Sequence, residues 1–335
     1  MQRRILKHLT KYTILSTEQY GFRWGLRTDN ATYKLTTEIL NAMNNKLLVG
    51  RIFCDLEKAF GCVNHDILLS KMKFYGISDK DLTLINLKWI TDIVEQQYMM
   101  TARTVTKFQI VQNKTWSAPR FCFGTSTLSF TYKWLTQDYK QNLSTYNFAD
   151  DTSILFAQSN LIYLNKNIHI VFTTLNKWLR ANQLSLTFNK TNYVHFTTKR
   201  NMTVNLKIGF NNNFITNSSN TKFLGVTMDN TLSWNNIDLL VKKLSTACYI
   251  IRNAKTYMSA SSLKMIYYAF FHSAMSYGVI FWWNFLEYKK KAIRVMEGCG
   301  NRVSYGNLFK KLQILPLTSQ YMLSLLMFIV QNNFF

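Results

Sequence analysis

The sequence predicts an α+β protein, and three patterns carry that prediction. A short apolar run, residues 47–56 (LLVGRIFCDL), is followed by a helix that Asn64 can cap. A second apolar stretch, residues 146–156 (YNFADDTSILF), divides into two short strands meeting at Ala149, Asp150 and Asp151. From Ile237 onward, apolar residues recur at three- and four-residue spacing, which is the signature of helices.

Taken in order, Asp29 can cap a first helix in which Ala31, Leu35, Ile39 and Ala42 share a face. The run 47–56 suits a buried strand and ends on Asp55, at the strand's C-terminal end. The helix after Asn64 carries Leu68, Met72 and Tyr75 on one face and has Gly76 as its stop. Residues 77–145 are polar, rich in Gln and Thr, and show no regular pattern. After the strand pair comes a helix over residues 164–179, with Ile168, Val171, Phe172 and Leu175 as its apolar stripe. Residues 190–196 and 222–228 each read as a further strand. Near Trp234 the pattern turns helical, with Leu240, Leu244, Ala247 and Ile251 on one face and Lys242, Lys243, Arg252 and Lys255 outside it.

The chain of 335 residues is long enough for about two domains. With 47% hydrophobic residues, global disorder is excluded, and 12 Gly with 2 Pro exclude collagen-like and linker-rich classes. Forty Lys and Arg against 17 Asp and Glu give a net charge of +23, so a polyanion is the expected partner, nucleic acid before an anionic membrane. The five cysteines, Cys54, Cys62, Cys122, Cys248 and Cys299, are scattered and form no CxxC or Cys/His cluster, which fits a reducing compartment and no structural zinc. The N-terminus MQRRILKHLTKY lacks the apolar region of a secretory signal. Residues 265–285 contain no Asp, Glu, Lys or Arg and reach bilayer-spanning length, but their polar tips favour amphipathic core helices, and no membrane partner is expected.

Acidic residues are scarce, so adjacent ones are informative. An Asp-Asp pair at a turn can simply be solvated. Inside an apolar segment, two like charges are costly unless a cation neutralises them. Three carboxylates, Asp55, Asp150 and Asp151, converging from two strand ends could hold two Mg²⁺ ions about 4 Å apart. Their all-oxygen donor set favours Mg²⁺ over Zn²⁺, and the positive charge of the chain tips the choice toward a phosphodiester-handling site.

These residues also carry a resemblance. Phe148-Ala149-Asp150-Asp151, preceded by Phe53-Cys54-Asp55-Leu56-Glu57-Lys58-Ala59-Phe60, resembles the reverse transcriptase domain of a non-LTR, LINE-like retrotransposon of the jockey type, truncated and degenerate. Gln19-Tyr20-Gly21-Phe22-Arg23-Trp24-Gly25 is similar to the family's template-contacting segment, and Val63-Asn64-His65-Asp66-Ile67-Leu68 to the end of its first palm motif. Leu184-Ser185-Leu186 with Lys190-Thr191 resembles the fourth motif, and Lys222-Phe223-Leu224-Gly225-Val226 the primer grip.

The resemblance implies a right-hand polymerase, with residues 1–235 forming incomplete fingers and a palm with an antiparallel sheet. Residues 236–335 would form a helical, thumb-like C-terminal region. It implies RNA-directed DNA polymerisation with two Mg²⁺ ions, an RNA template, a DNA primer and deoxynucleoside triphosphates. Asp55, Asp150 and Asp151 would hold metal, and Lys190 would stabilise the leaving pyrophosphate. Phe60 would be the steric gate against a 2′-hydroxyl, beside Leu56 in the nucleotide site. Gln19, Gly21, Phe22 and Arg23 would contact template, and Phe223, Leu224 and Gly225 the primer end. A cytoplasmic ribonucleoprotein that reaches the nucleus is the implied location.

Four departures from the family pattern stand beside the matches. The fingers segment and endonuclease expected ahead of Gln19 are not seen, Gly61 replaces an Asp, and Leu26-Arg27-Thr28 stands where a basic residue and Ser-Thr are usual. Most damaging, residues 119–130 (PRFCFGTSTLSF) stand in place of PQGSxLGPLLF. The second functional expectation is therefore a catalytically inactive relic that only binds nucleic acid. The intact motifs on both sides predict that compensating insertions or deletions put residues 121–140 out of frame. Sequencing the coding DNA checks this: codons 121–129 should spell GSVLGPLLF in another frame, and the idea is wrong if no frame does.

Overall fold

The strand β1 (Leu48–Cys54) is buried along nearly its whole length, which explains why it reads as a near-continuous apolar run rather than an alternating one; its charged residue, Arg51, is itself buried and donates to Ser153 Oγ. It is the third strand of a five-stranded sheet in a computed structural model. That model describes residues 2–12, 14, 19–21, 23, 25–57, 64–83, 143–148, 151–198, 204–233, 238–281, 286–299 and 304–332. The chain divides into two units, Met1–Ser218 and Ser219–Phe335.

In the first unit, β2 (Leu143–Phe148), β3 (Asp151–Gln158), β1, β4 (Asn192–Phe196) and β7 (Thr216–Asn217) lie in the order β2-β3-β1-β4-β7. All pairings are antiparallel except β4 with β7. The short strands β5 (Gly209–Phe210) and β6 (Asn213–Phe214) form a separate ribbon. The helix α4 (Leu161–Ala181) is capped by the Asn160 side chain, which accepts from Ile162 N. Its stripe of Leu164, Ile168, Val171, Phe172, Leu175 and Leu179 packs on Ile52, Cys54, Ile154 and Phe156 of the sheet. The helix α2 (Thr28–Asn44) packs against β1 and buries Ala31, Leu35 and Ile39. Helix α1 (Gln2–Lys11) and α3 (His65–Phe74) share a smaller core of Leu9, Leu68 and Met72.

The cap of α2 corrects one expectation. Thr28 already begins the helix, so Asp29 sits in the first turn, and Arg27 is the cap residue whose backbone N–H donates to Asn30 Oδ1 at 2.9 Å. Asn64 caps α3 as expected, accepting from Ile67 N at 3.0 Å, and Gly76 follows the helix with φ +81°.

The second unit opens with the hairpin β8 (Asn220–Phe223) and β9 (Val226–Asp229). The expected single strand over residues 222–228 is thus two strands. The chain reverses at Leu224 (φ +48°) and Gly225 (φ +81°), and the left-handed backbone of Leu224 carries no local sequence signal. Helices follow: α5 (Asp238–Ala254), α6 (Ala260–Ile266), a π-helical turn (Tyr267–His272), α7 (Ser273–Ser276), α8 (Leu286–Glu297), α9 (Tyr305–Leu312) and α10 (Leu317–Gln331). Leu244, Ala247 and Ile251 of α5 are buried and Leu240 half-buried, as the pattern predicts.

Within residues 265–285 the core side chains are Tyr267, Phe271, Met275 and Val279, each buried, whereas Met265 and Phe270 are exposed. The four-residue spacing of Tyr267, Phe271 and Met275 places one helical stripe inside and leaves the rest at the surface, as an amphipathic core helix requires, and Val279 extends the buried side into the turns that follow. Among the described residues no single helix is long and apolar enough to cross a membrane. The pair α9 and α10, bent by 54°, passes that test jointly by length and composition.

Candidate active site

The site is built where β1 ends and β3 begins. The last register pair between them is Cys54 with Thr152, so the next position on each strand is Asp55 and Asp151. Antiparallel neighbours at this spacing have Cα atoms about 4.5–5.5 Å apart, so the two carboxylates share one strand end. Asp151 is exposed, and the Asp55 side chain retains 41% of its accessible surface. Asp150 lies outside the described residues, as does Phe60.

The backbone of Asp55 is held on both sides by the segment that leads into β4. Its N–H donates to Thr191 Oγ1 at 3.2 Å, and its carbonyl accepts from Thr187 N at 2.8 Å. One residue on, Leu56 forms an antiparallel bridge with Leu186, and Glu57 N donates to Ser185 O at 2.9 Å. Ser185 Oγ also donates to Glu57 Oε2 at 3.0 Å. A turn closed by Lys190 N and Thr187 O then returns the chain, and Lys190 Nζ comes 3.9 Å from Asp55 Oδ2. Both partners are largely exposed (71% for Lys190), so this is a loose surface pair.

These contacts bring Asp55, Asp151 and Lys190 together, three residues separated by up to 135 positions. The neighbouring thiol takes no part: burial pushes Cys54 up to about 12, against the opposing pull of Arg51, so it stays protonated. The donors on offer are carboxylate oxygens, which suit a hard divalent cation such as Mg²⁺. Among the described residues no group of three or more His, Cys, Asp or Glu gathers that could hold a metal ion, here or elsewhere; Asp55 and Asp151 are a pair.

The remaining candidates are spread out. Leu56 is buried in the core under α4, so its side chain fills that core and not an open pocket. Gln19 is buried and donates to Gly21 O at 3.1 Å, Gly21 is buried, and half-buried Arg23 donates to Gln19 O at 3.4 Å. Phe22 lies outside the described residues. In the second unit Phe223 and Leu224 are buried at the hairpin reversal beside Gly225.

Two residues of this arrangement are not marked as such in the sequence. Thr191, already part of the Lys190-Thr191 pair, is the hydrogen-bond partner of the Asp55 backbone. Tyr277 donates through its hydroxyl to Leu224 O and packs so near Gly225 that a Cβ there would meet Tyr277 Cε1 at 3.1 Å. Tyr277 stands 53 residues from its partner, inside a stretch that reads only as apolar helix.

Residues 1–228, about two thirds of the chain, match the family of reverse transcriptases (RNA-dependent DNA polymerases). The chain belongs to that family, and the match takes in the whole five-stranded sheet with its covering helices. A Drosophila melanogaster protein named "Probable RNA-directed DNA polymerase from transposon BS" is 24% identical over 293 residues, covering 82% of this chain. The chain spans 31% of that relative's length. A solved structure of telomerase from Candida albicans, in complex with a fragment of telomeric RNA, superposes with a TM-score of 0.43 at 10% identity. The match covers 94% of this chain and 58% of the telomerase chain.

Proposed function

We propose that this chain is the polymerase portion of a transposon-encoded enzyme that copies RNA into DNA by two-metal nucleotidyl transfer. The observation that carries the reading is the adjacency of Asp55 and Asp151 at one strand end, with Lys190 Nζ 3.9 Å from Asp55, in a chain of this family. Asp55, Asp151 and Asp150 are the residues that would hold two Mg²⁺ ions. When bound, such ions activate the primer 3′-hydroxyl and neutralise charge on the leaving pyrophosphate. The protein's part is positioning: Thr187 and Thr191 fix the Asp55 backbone so that its carboxylate points from a rigid strand end. Lys190 supplies a cation and a proton donor for the departing pyrophosphate.

On this reading Phe60 and Leu56 lie at the sugar of the incoming nucleotide, with Leu56 acting through its backbone, because its side chain is buried. Gln19, Gly21, Phe22 and Arg23 guide the template, and Phe223, Leu224 and Gly225 hold the primer end. Residues 1–235 serve as partial fingers and palm and residues 236–335 as thumb. The partners are an RNA template, a DNA primer and deoxynucleoside triphosphates, met in a ribonucleoprotein that enters the nucleus.

Primer extension on an RNA template, with Mg²⁺ and deoxynucleoside triphosphates, tests the reading. Extension should be seen and should stop on chelation. Lys190→Gln should lower turnover about 10–100-fold with primer–template affinity changed less than about 2-fold. The inactive, nucleic-acid-binding reading is favoured by the departure at residues 119–130. It predicts salt-sensitive binding and no extension at all.

A further inference from the structure

Between the C-terminal turns of α5 and α8 lies a cavity of about 870 Å³ lined by Arg252, Lys255, Lys291, Arg294, Gly298 and Cys299. Four cations face it and, among the described residues, no carboxylate does. The acidic residue of that turn, Glu297, is engaged by Lys311 Nζ at 2.5 Å. The buried Nε of Arg294 has no hydrogen-bond partner among the described residues. Gly298, with φ +72°, leaves the space that the Lys255 ammonium fills, since a Cβ there would collide with Lys255 Nζ.

Cations near helix C-termini are common because each terminus carries about half a negative charge. Two termini supply about one negative charge against four positive ones, which leaves a surplus of about three. A single phosphate group, at about −1.5 to −2, does not match that surplus, whereas two close together do. The volume also falls in the range of small-molecule sites, about 300–1,000 Å³. We propose that this cavity binds the clustered phosphates of a free polyphosphate such as pyrophosphate. It is distinct from the carboxylate site, which selects cations and lies in the other unit.

Cys299 provides a local reporter, a half-buried thiol in the cavity wall, whereas Cys54 and Cys248 are buried. The full chain is treated with iodoacetamide in EDTA buffer, and modification of the Cys299 peptide is followed by mass spectrometry. EDTA removes any route through cation-bridged phosphate at Asp55 and Asp151. Pyrophosphate should slow Cys299 alkylation at least about 5-fold, and a short RNA–DNA duplex serves as the competing ligand. Lys255→Gln with Lys291→Gln should raise the concentration needed at least about 10-fold per lost cation. Lys255→Arg with Lys291→Arg should restore protection and shows that the loss is not unfolding.

Protection by pyrophosphate at concentrations where orthophosphate gives none assigns a free polyphosphate. Protection by duplex alone, weakening steeply with salt, reports ordinary backbone contact and overturns the polyphosphate site. Protection by neither ligand, or protection that the Gln pair leaves unchanged, overturns the site. None of these outcomes depends on primer extension.

Discussion

Asp151→Asn is expected to reduce primer extension by ~10³-fold or more while leaving the protein as stable as its parent, and Asp55→Asn should do the same. At 1.36 kcal/mol per tenfold, the loss corresponds to about 4 kcal/mol of transition-state stabilisation, the scale set by charge neutralisation at a dication. The stability side follows from the geometry. The Asp55–Lys190 contact is 3.9 Å long and exposed, so its removal costs at most about 1 kcal/mol. Against that, Asp55 and Asp151 occupy adjoining positions on antiparallel strands, where like charges oppose each other, and a neutral Asn relieves the repulsion. The two effects nearly cancel, so a large loss of activity should accompany a shift in Tm of no more than about 4 °C. Extension assays paired with thermal denaturation check both halves. Full activity in either Asn variant would remove the carboxylates from the mechanism. A collapse in Tm would mean that they hold the sheet together instead.

The parts of the fold legible in the sequence are those set by local periodicity and by burial on two faces. The stripe of α4 and the run of β1 each announce what covers them, because each meets a core built mainly of apolar groups; buried Arg51 and Asn176 are polar exceptions, hydrogen-bonded to Ser153 Oγ and Phe172 O. The hairpin at residues 220–229 was not legible, because a left-handed Leu224 looks like any strand leucine until the chain reverses. The Arg27 cap was hidden for a related reason. Any residue can donate its backbone N–H, so the polar Asp29 drew attention away from the Asn30 side chain that accepts it.

For the candidate site, Asp55, Asp151 and Lys190 were marked by chemistry that is unusual in its surroundings, a carboxylate ending an apolar strand and a lysine in a resembling motif. Their supports were not. Thr191 and Tyr277 act through one hydrogen bond each to a distant backbone, and no spacing rule encodes a partner 136 or 53 residues away. The basic cavity was half visible, since Arg252 and Lys255 belong to a charged face of α5. Lys291 and Arg294 arrive from another helix, so only packing shows that the four converge.

Gly50→Ala is expected to destabilise the first unit by about 1–3 kcal/mol, the cost of overpacking a filled core, and to lower activity with it. Gly50 lies in β1 and pairs with Phe156 on one side and His195 on the other. Tyr193 lies diagonally across from it on β4, 1% exposed, and its ring covers the space that a side chain at Gly50 would need. A Cβ would collide with the Tyr193 hydroxyl and approach Cε2 to 2.8 Å and Cζ to 3.0 Å. Relief comes from the Tyr193 ring or from β4 itself, and because the ring is packed into the core, part of the shift passes to β4, away from β1. That movement stretches the Thr191–Asp55 bond, because Thr191 immediately precedes β4. The Tyr193 hydroxyl is itself buried without a hydrogen-bond partner among the described residues, so Tyr193→Phe alone should stabilise by about 1 kcal/mol. In the Tyr193→Phe background, Gly50→Ala should therefore cost less than in the parent. Its rescue should be incomplete, because the ring carbons stay in place. Urea unfolding of the four proteins measures the coupling, and extension assays on the same four should recover in parallel. Additive effects within about 0.5 kcal/mol would show that the two residues do not compete for the same space. The route from the packing of β1 on β4 to the position of Asp55 would then fail.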